Sequence, residues 1–299
     1  MLRGAALSET QFKKIGVFKC GNIAVSPLFE LLLDELADRQ DIKTRTLTTG
    51  SKMTVEDVEE ALPKLFEFDP DIVTLICPNP SIPGPTKVRE KLATSGVPSV
   101  VISDAPAKRI KNELEKQGLG YIIITGDPLI GARREFLDPV EMAVFNSNII
   151  KVLAITGVFR IVHQEMDKMV YALKKGLTPV LPKLVVDANY IRDKSDFQNP
   201  YAKAKAIAAY ALTEKIAEIN TQACFVEKES DKFIPLVASA HEIAQIAAKL
   251  AEEAREIEKY NDTLVRKPHG KDGRPKIKTK LMLPPTLDEE FYKEENTEK

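Results

Sequence analysis

Four short segments hold the residues whose types and spacing could do chemistry. They are KCGN (Lys19–Asn22), CPNPSIPGPTK (Cys77–Lys87), SDAPAK (Ser103–Lys108) and TGDPLIGARREF (Thr125–Phe136). KCGN follows a short apolar run and precedes an amphipathic pattern, so it reads as a strand–turn–helix opening with one glycine, Gly21. A dinucleotide-binding turn of this kind carries three glycines, which let the backbone approach a pyrophosphate. CPNPSIPGPTK has four prolines and one glycine in eleven residues. Proline removes N–H donors, so this loop is a poor phosphate nest and suits a flat ring better, or serves only as a rigid connector. Asp104 stands between a buried run and a helix. It reads either as an N-cap or as a carboxylate on a ligand rim. Asp127 repeats that theme. Gly131 and the pair Arg133 and Arg134 follow it, and arginine forks suit phosphate or carboxylate, or a subunit salt bridge.

Familiar catalytic constellations are missing. His163, His241 and His269 are scattered without metal-ligand spacing, so no metal is expected. There is neither a G-x-S-x-G elbow nor a P-loop. Cys20, Cys77 and Cys224 form no C-x-x-C pair, which speaks against a zinc site or a disulfide framework. The pattern favours binding, or chemistry carried by bound organic molecules.

The elements that must position these residues follow from periodicity. Strands are expected at Lys14–Phe18, Lys43–Leu47, Ile72–Cys77, Ser99–Ser103 and Tyr121–Thr125. Helical patterns lie between them at Leu28–Arg39, Val55–Phe66, Thr86–Ser95 and Ala107–Gln117. IVTLIC, SVVIS and YIIIT are apolar without a break, as parallel strands covered on both faces are. The alternation predicts an α/β fold with an open, mostly parallel, doubly wound sheet, Rossmann-like without the three-glycine turn. Ligands of such sheets sit at the carboxyl ends of the strands, so five loops, the four segments and TTGSK (Thr48–Lys52), should share one rim.

From Asp138 the pattern turns helical: Pro139–Lys175 with a break near Gly157, Pro200–Cys224 and Pro235–Leu264, with one short strand at Val180–Asp187. The alanine-rich runs favour close helix packing. Arg266–Leu283 reads as a small basic β-hairpin around Asp272-Gly273. The expected division is therefore an N-terminal extension (1–12), an α/β domain (13–137), a helical bundle (138–265), a small β segment (266–284) and an acidic, disordered tail (285–299).

With 299 residues, 43% hydrophobic and 29% charged, the chain can bury a sizeable core. A net charge of −1 marks neither a nucleic-acid nor a membrane binder. The basic hairpin lacks interleaved aromatics and suits a subunit interface or an anionic ligand better than nucleic acid. No apolar run reaches the roughly 20 residues that cross a bilayer. A reducing cytoplasm is the simplest setting.

Taken in order, NPSIPGPTKVREKL, ISDAPAK, LGYIIITGDPLIGARREFLDPVEMA, FQNPYAKAKA, CFVE and VASAHE resemble the archaeal coenzyme F420-dependent methylenetetrahydromethanopterin dehydrogenases. KCGNIAVSP and LLLDELADR fit the opening of that family. The resemblance runs from about Lys14 to Leu283. It implies an oxidoreductase that moves a hydride between methylenetetrahydromethanopterin, or its relative sarcinapterin, and C5 of coenzyme F420. F420 is an 8-hydroxy-5-deazaflavin used as a dissociable co-substrate. The products would be the methenyl compound and reduced F420, in one-carbon metabolism on the route to methane or its reverse. A homohexamer is also implied.

On this reading the deazaflavin lies across the rim. Its expected contacts are Cys20, Gly21, Asn22, Asn79, Pro80, Gly84 and Ala105, with Lys19, Lys87, Arg133 and Arg134 as partners of its phosphate and glutamates. Removal of hydride leaves positive charge on the pterin side. Asp104 is the first choice to stabilise it and Asp127 the second. Two rivals stand beside this: a nicotinamide-dependent pterin dehydrogenase, disfavoured by the single glycine, and a non-catalytic α/β scaffold.

Overall fold

The computed structural model describes residues 12–27, 29, 35–128, 136 and 138–294. Six parallel strands make the central sheet: β1 (Lys13–Lys19), β2 (Ile42–Thr48), β3 (Ile72–Cys77), β4 (Ser99–Asp104), β5 (Gly120–Ile124) and β6 (Lys183–Val186). Their order is β2-β1-β3-β4-β5-β6. β2 lies on one side of β1 and the rest on the other, so the order reverses at β1 and opens a crevice beside β3 at the carboxyl ends.

The unbroken apolar strands are buried on both faces, and alternate residues feed two separate cores. Val73, Leu75, Val101, Tyr121 and Ile123 face α1 (Val55–Phe66), α2 (Pro83–Ser95) and α3 (Lys111–Lys116), packing with Val58, Leu65, Val88, Leu92 and Leu114. Ile15, Val17, Ile72, Ile76, Val100, Ile102, Ile122 and Ile124 face the other way. There they meet α4 (Pro139–Thr156) and α5 (Val158–Lys174) through Ile149, Leu153, Val162, Met166 and Val170.

The helical half continues with α6 (Ala188–Lys194), α7 (Pro200–Thr221) and α8 (Ser230–Tyr260). α7 and α8 approach through small side chains: Ala202, Ala206 and Ala209 on one, Ala247, Ala248, Ala251 and Ala254 on the other. Alanine serves twice here, favouring the helix and leaving room for the neighbouring backbone. The break expected near Gly157 is a bend of 62° between α4 and α5. No single helix among the described residues is long and apolar enough to cross a membrane.

Several elements depart from their expected bounds. β6 enters the sheet from within 138–265, so the sheet draws on both halves of the chain. Ala107–Gln117 divides into a 3-10 turn (Ala105–Ile110) and the short α3. α2 starts three residues early at Pro83, because prolines at the start of a helix lose no bond they would have made. α8 begins at Ser230, ahead of Pro235, which costs one N–H bond near an open end. Leu28–Arg39 falls largely outside the described residues; Glu35–Asp38 forms a 3-10 turn.

The C-terminal segment is a correction. The hairpin around Asp272-Gly273 is present, with bridges Arg266 to Lys278 and His269 to Pro275. The tail after it, expected to be disordered, is ordered over 286–294. β7 (Lys276–Ile277) pairs with β8 (Thr286–Leu287), and α9 (Glu289–Glu294) follows. Two buried side chains explain the order: Asp288 meets Lys267 at 3.2 Å, and Phe291 packs edge-on against Tyr171. The acidic composition concealed this apolar and ionic anchorage.

Candidate functional site

The rim is built by register. β1 ends at Lys19 opposite Ile76 of β3, and the Cys20 N–H donates to the Ile76 carbonyl at 2.9 Å. Cys77 lies opposite Ser103, whose hydroxyl donates to the Cys77 carbonyl at 2.7 Å. Asp104 lies opposite Ile124 of β5. The ends of β1, β3, β4 and β5 thus form one continuous edge.

Gly21 turns the chain off β1 with φ +85°, a conformation glycine adopts without penalty. A Cβ there would stand 2.6 Å from Met53 Sδ and 3.0 Å from Pro78 Cδ, so the bare backbone lies between the loops after β2 and β3. Asn22 beside it is exposed. The residue that fixes this turn is Asp127. Its carboxylate is fully buried and accepts the Ala24 N–H at 2.7 Å and the Val25 N–H at 2.8 Å. Burial pushes its pKa up to about 7, against the lowering effect of the Val25 and Ala24 amides. Both oxygens of Asp127 are therefore engaged beneath the rim, so it positions the KCGN turn.

Asp104 is 3% exposed at the end of β4, and its Oδ1 accepts the N–H of Ala105 at 2.5 Å. The N-cap reading of SDAP holds: the residue caps the 3-10 turn, at the carboxyl end of β4. Asn79 Oδ1 accepts the Ser81 N–H at 3.1 Å, which closes the proline loop on itself. Arg89, missed in the sequence, braces the same loop from behind. It is 1% exposed and donates from Nε to the Pro80 carbonyl at 2.8 Å, while Nη1 reaches Glu113 and Gln117. Gly84 sits where a Cβ would collide with the Met53 carbonyl, so α2 packs directly on the β2 loop.

Cys20 and Cys77 are buried at adjacent strand ends. Burial pushes the Cys20 thiol up to about 11 and raises Cys77 still further, so neither is poised as a nucleophile. At the far end of the rim, Tyr210 donates its hydroxyl to the Val186 carbonyl at 2.6 Å and accepts the Gly126 N–H at 3.1 Å. Thr125 Oγ1 stands 2.5 Å from Glu214 Oε1. Tyr210, Thr213 and Glu214 come from α7, whose alanine-rich sequence gave no sign of a role beside Thr125–Asp127.

The structure brings together Lys19, Cys20, Gly21, Asn22, Asn79, Pro80, Asp104, Ala105 and Asp127. Lys87 does not join them: one turn into α2, it faces the groove against α1, with Nζ 3.9 Å from Glu59 Oε1. Helical periodicity turned it away from the strand ends. Arg133 and Arg134 lie outside the described residues.

Two of the histidines thought scattered also meet. His163 and His269 flank Asp167, their ligand-type atoms all within 4.8 Å of one another. Asp167 accepts from His269 at 2.7 Å and from Arg39 Nη1 at 3.1 Å, and Arg39 also forks onto Asp41. Arg39 already supplies positive charge there, which makes the cluster an ion-pair network. Asp41 precedes β2, so the network lies under the amino ends of the strands, away from the rim.

The model of the family described as methylene-5,6,7,8-tetrahydromethanopterin dehydrogenase matches residues 13–286. The chain is 52% identical over 272 residues to the F420-dependent methylenetetrahydromethanopterin dehydrogenase of Methanothermobacter thermautotrophicus, covering 91% of this chain and 99% of that protein. It is 54% identical over 272 residues to the enzyme of the same name from Archaeoglobus fulgidus, covering 91% and 98%. A solved structure of F420 dependent methylene-tetrahydromethanopterin dehydrogenase, in complex with methylene-tetrahydromethanopterin and coenzyme F420, superposes with a TM-score of 0.89. Its sequence identity is 46%, over 92% of this chain and 100% of that one.

Proposed function

The chain belongs to the methylene-5,6,7,8-tetrahydromethanopterin dehydrogenase family, and from that premise we propose that it transfers a hydride reversibly between 5,10-methylenetetrahydromethanopterin and coenzyme F420. The products are the methenyl compound and reduced F420. The observation that carries this reading is the likeness, along 92% of the chain, to a structure that holds both compounds.

The rim fits a flat ring. Arg89 braces the Pro80 carbonyl from behind, and the Gly21 backbone packs tightly between Met53 and Pro78, so the edge beneath a ring is stiff. F420, when bound, supplies the carbon that takes or gives the hydride. The chain's own part is to hold the two organic partners at about 3–3.5 Å between reacting atoms and to keep the approach aligned. Asp127 holds the KCGN turn in place for that purpose. Asp104, at the end of β4, is the carboxylate assigned to offset positive charge on the pterin side. Lys19 and, by sequence, Arg133 and Arg134 are assigned to the anionic tail of F420. The rest of the proposal is a cytoplasmic homohexamer in archaeal one-carbon metabolism. Its α/β part over 13–137 is completed by β6 and carries a helical part over 138–265 and a small β segment over 266–284.

The direct test mixes purified protein with oxidised F420 and methylenetetrahydromethanopterin and follows the loss of visible deazaflavin absorbance. Bleaching that requires both compounds, and that NAD(P) cannot replace, is the expected result. A folded oligomer that bleaches nothing would sink the proposal. Solution mass tests the hexamer.

A further inference from the structure

Away from the rim, a cavity of about 590 Å³ opens where α4 turns into α5. None of the residues around it leaves the carboxyl end of a strand of the central sheet. Five basic side chains line it, Arg160, Arg255, Arg266, Lys267 and Lys278, against two acids, Asp196 and Glu258. Both acids are already engaged. Glu258 accepts the N–H groups of Gln198 and Asn199 at 2.8 and 2.7 Å, and the Thr263 hydroxyl. Asp196 is paired with Arg160 at 2.5 Å and, more distantly, with Lys267 at 3.8 Å.

Three cations are left over. Among the described residues, Arg255 and Lys278 have no acidic partner, and Arg266 Nη1 donates only to the carbonyls of Leu264 and Thr279. One further feature adds to this surplus. α5 starts just after Gly157, on the cavity wall, with no side-chain cap, so the positive end of its dipole faces the same region.

We infer that this cavity binds a phosphate-class oxyanion, free or as a monoester, at a site separate from hydride transfer. Two guanidinium forks and one ammonium suit a tetrahedral, multiply charged oxyanion better than a halide. The contributing residues come from α5, α8 and the C-terminal hairpin. A bound oxyanion therefore ties that hairpin to the helical half and stabilises the fold by occupying the native state only.

The test is calorimetric titration of the full chain with inorganic phosphate, and in a parallel arm with glucose 6-phosphate, ionic strength being held constant with chloride. Saturable binding of one oxyanion per chain is expected, with affinity falling roughly tenfold or more in the Arg255→Ala/Lys278→Ala variant. Lys278→Gln, which keeps the length of the side chain, should lose part of that affinity. Hydride transfer without phosphate and solution mass should stay unchanged in both variants. Preference for one arm identifies the free ion or the ester as the ligand. Identical isotherms for wild type and variants, no saturable heat, or an equal response to chloride would overturn the site. So would a change of solution mass in the variants, which would assign these cations to a subunit contact.

Discussion

Asp127 Oδ1 accepts the amide of Ala24 at 2.7 Å, across 103 residues of chain. With the Val25 amide on its other oxygen, this carboxylate fastens the turn after β1 to the loop after β5. The shape of the rim at Gly21 thus depends on a residue four strands further along the chain.

Asp127→Ala leaves two buried N–H groups without an acceptor. It should cost about 2–4 kcal/mol at neutral pH and weaken F420 binding, read by denaturant unfolding and by fluorescence titration. The pH dependence has a definite sign. Burial raises this acid from its ordinary 3.8 to about 7, so its favourable contribution is complete below the ordinary value and is lost as pH rises through about 7. The stability difference between wild type and Asp127→Asn should therefore shift against wild type between pH 4 and 7. A difference independent of pH would show that the carboxyl is ionised throughout.

Asp104→Ala should lower kcat more than it raises KM for F420, because the residue is assigned to charge that develops only as hydride leaves. The loss of its bond to the Ala105 amide costs about 1 kcal/mol of stability besides. Steady-state kinetics at saturating pterin separates the two effects. An unchanged kcat would reduce Asp104 to a cap.

Gly84→Ala places a Cβ against the Met53 carbonyl, a backbone atom that cannot swing aside. A loss of about 1–3 kcal/mol is expected, visible as a fall in Tm. KM for F420 should rise as well, since α2 and the β2 loop must part. Gly21→Ala meets the flexible Met53 thioether, but it also forces a positive φ on an alanine.

Arg39→Met removes the cation shared by Asp41 and Asp167 and should cost about 3–5 kcal/mol. Burial alone would raise both carboxyls. Around Asp41, Arg39 and Lys174 outweigh it, and around Asp167, His163, His269 and Arg39 do, so both are held below the ordinary range. Their contribution is present above that range and is lost as pH falls through the depressed values. Hydrogen exchange in 266–291 should accelerate in the variant, and acid should release this segment at a higher pH than in wild type.

Where the burial pattern dominates, sequence and structure agree closely. Ile72–Cys77 has the expected bounds, and the other strands of the first half shift by a residue or so at their ends; for β3, β4 and β5 this is because a strand covered on both faces must be apolar almost throughout. The rim followed from the same alternation. Side-chain direction did not: Lys87 stands near the right loop but on the α1 face of its helix. Long-range pairs were also illegible. His163 and His269 come together only after α5 and the hairpin dock, and Arg89 looks like any surface arginine until the Pro80 carbonyl is beside it. Composition misled at the tail, where Phe291 and Asp288 anchor an otherwise acidic stretch.

The late arrival of β6 has a consequence for synthesis. Thr125 meets Val186 across 61 residues, so on the ribosome β5 waits about 3–12 s for the strand that covers its outer side. During that interval YIII presents unpaired amides and carbonyls on a wholly apolar strand, the kind of edge that recruits other chains. Any fragment ending before Lys183 makes that exposure permanent, so the nascent protein is most prone to aggregate just when its strand-end rim is otherwise complete.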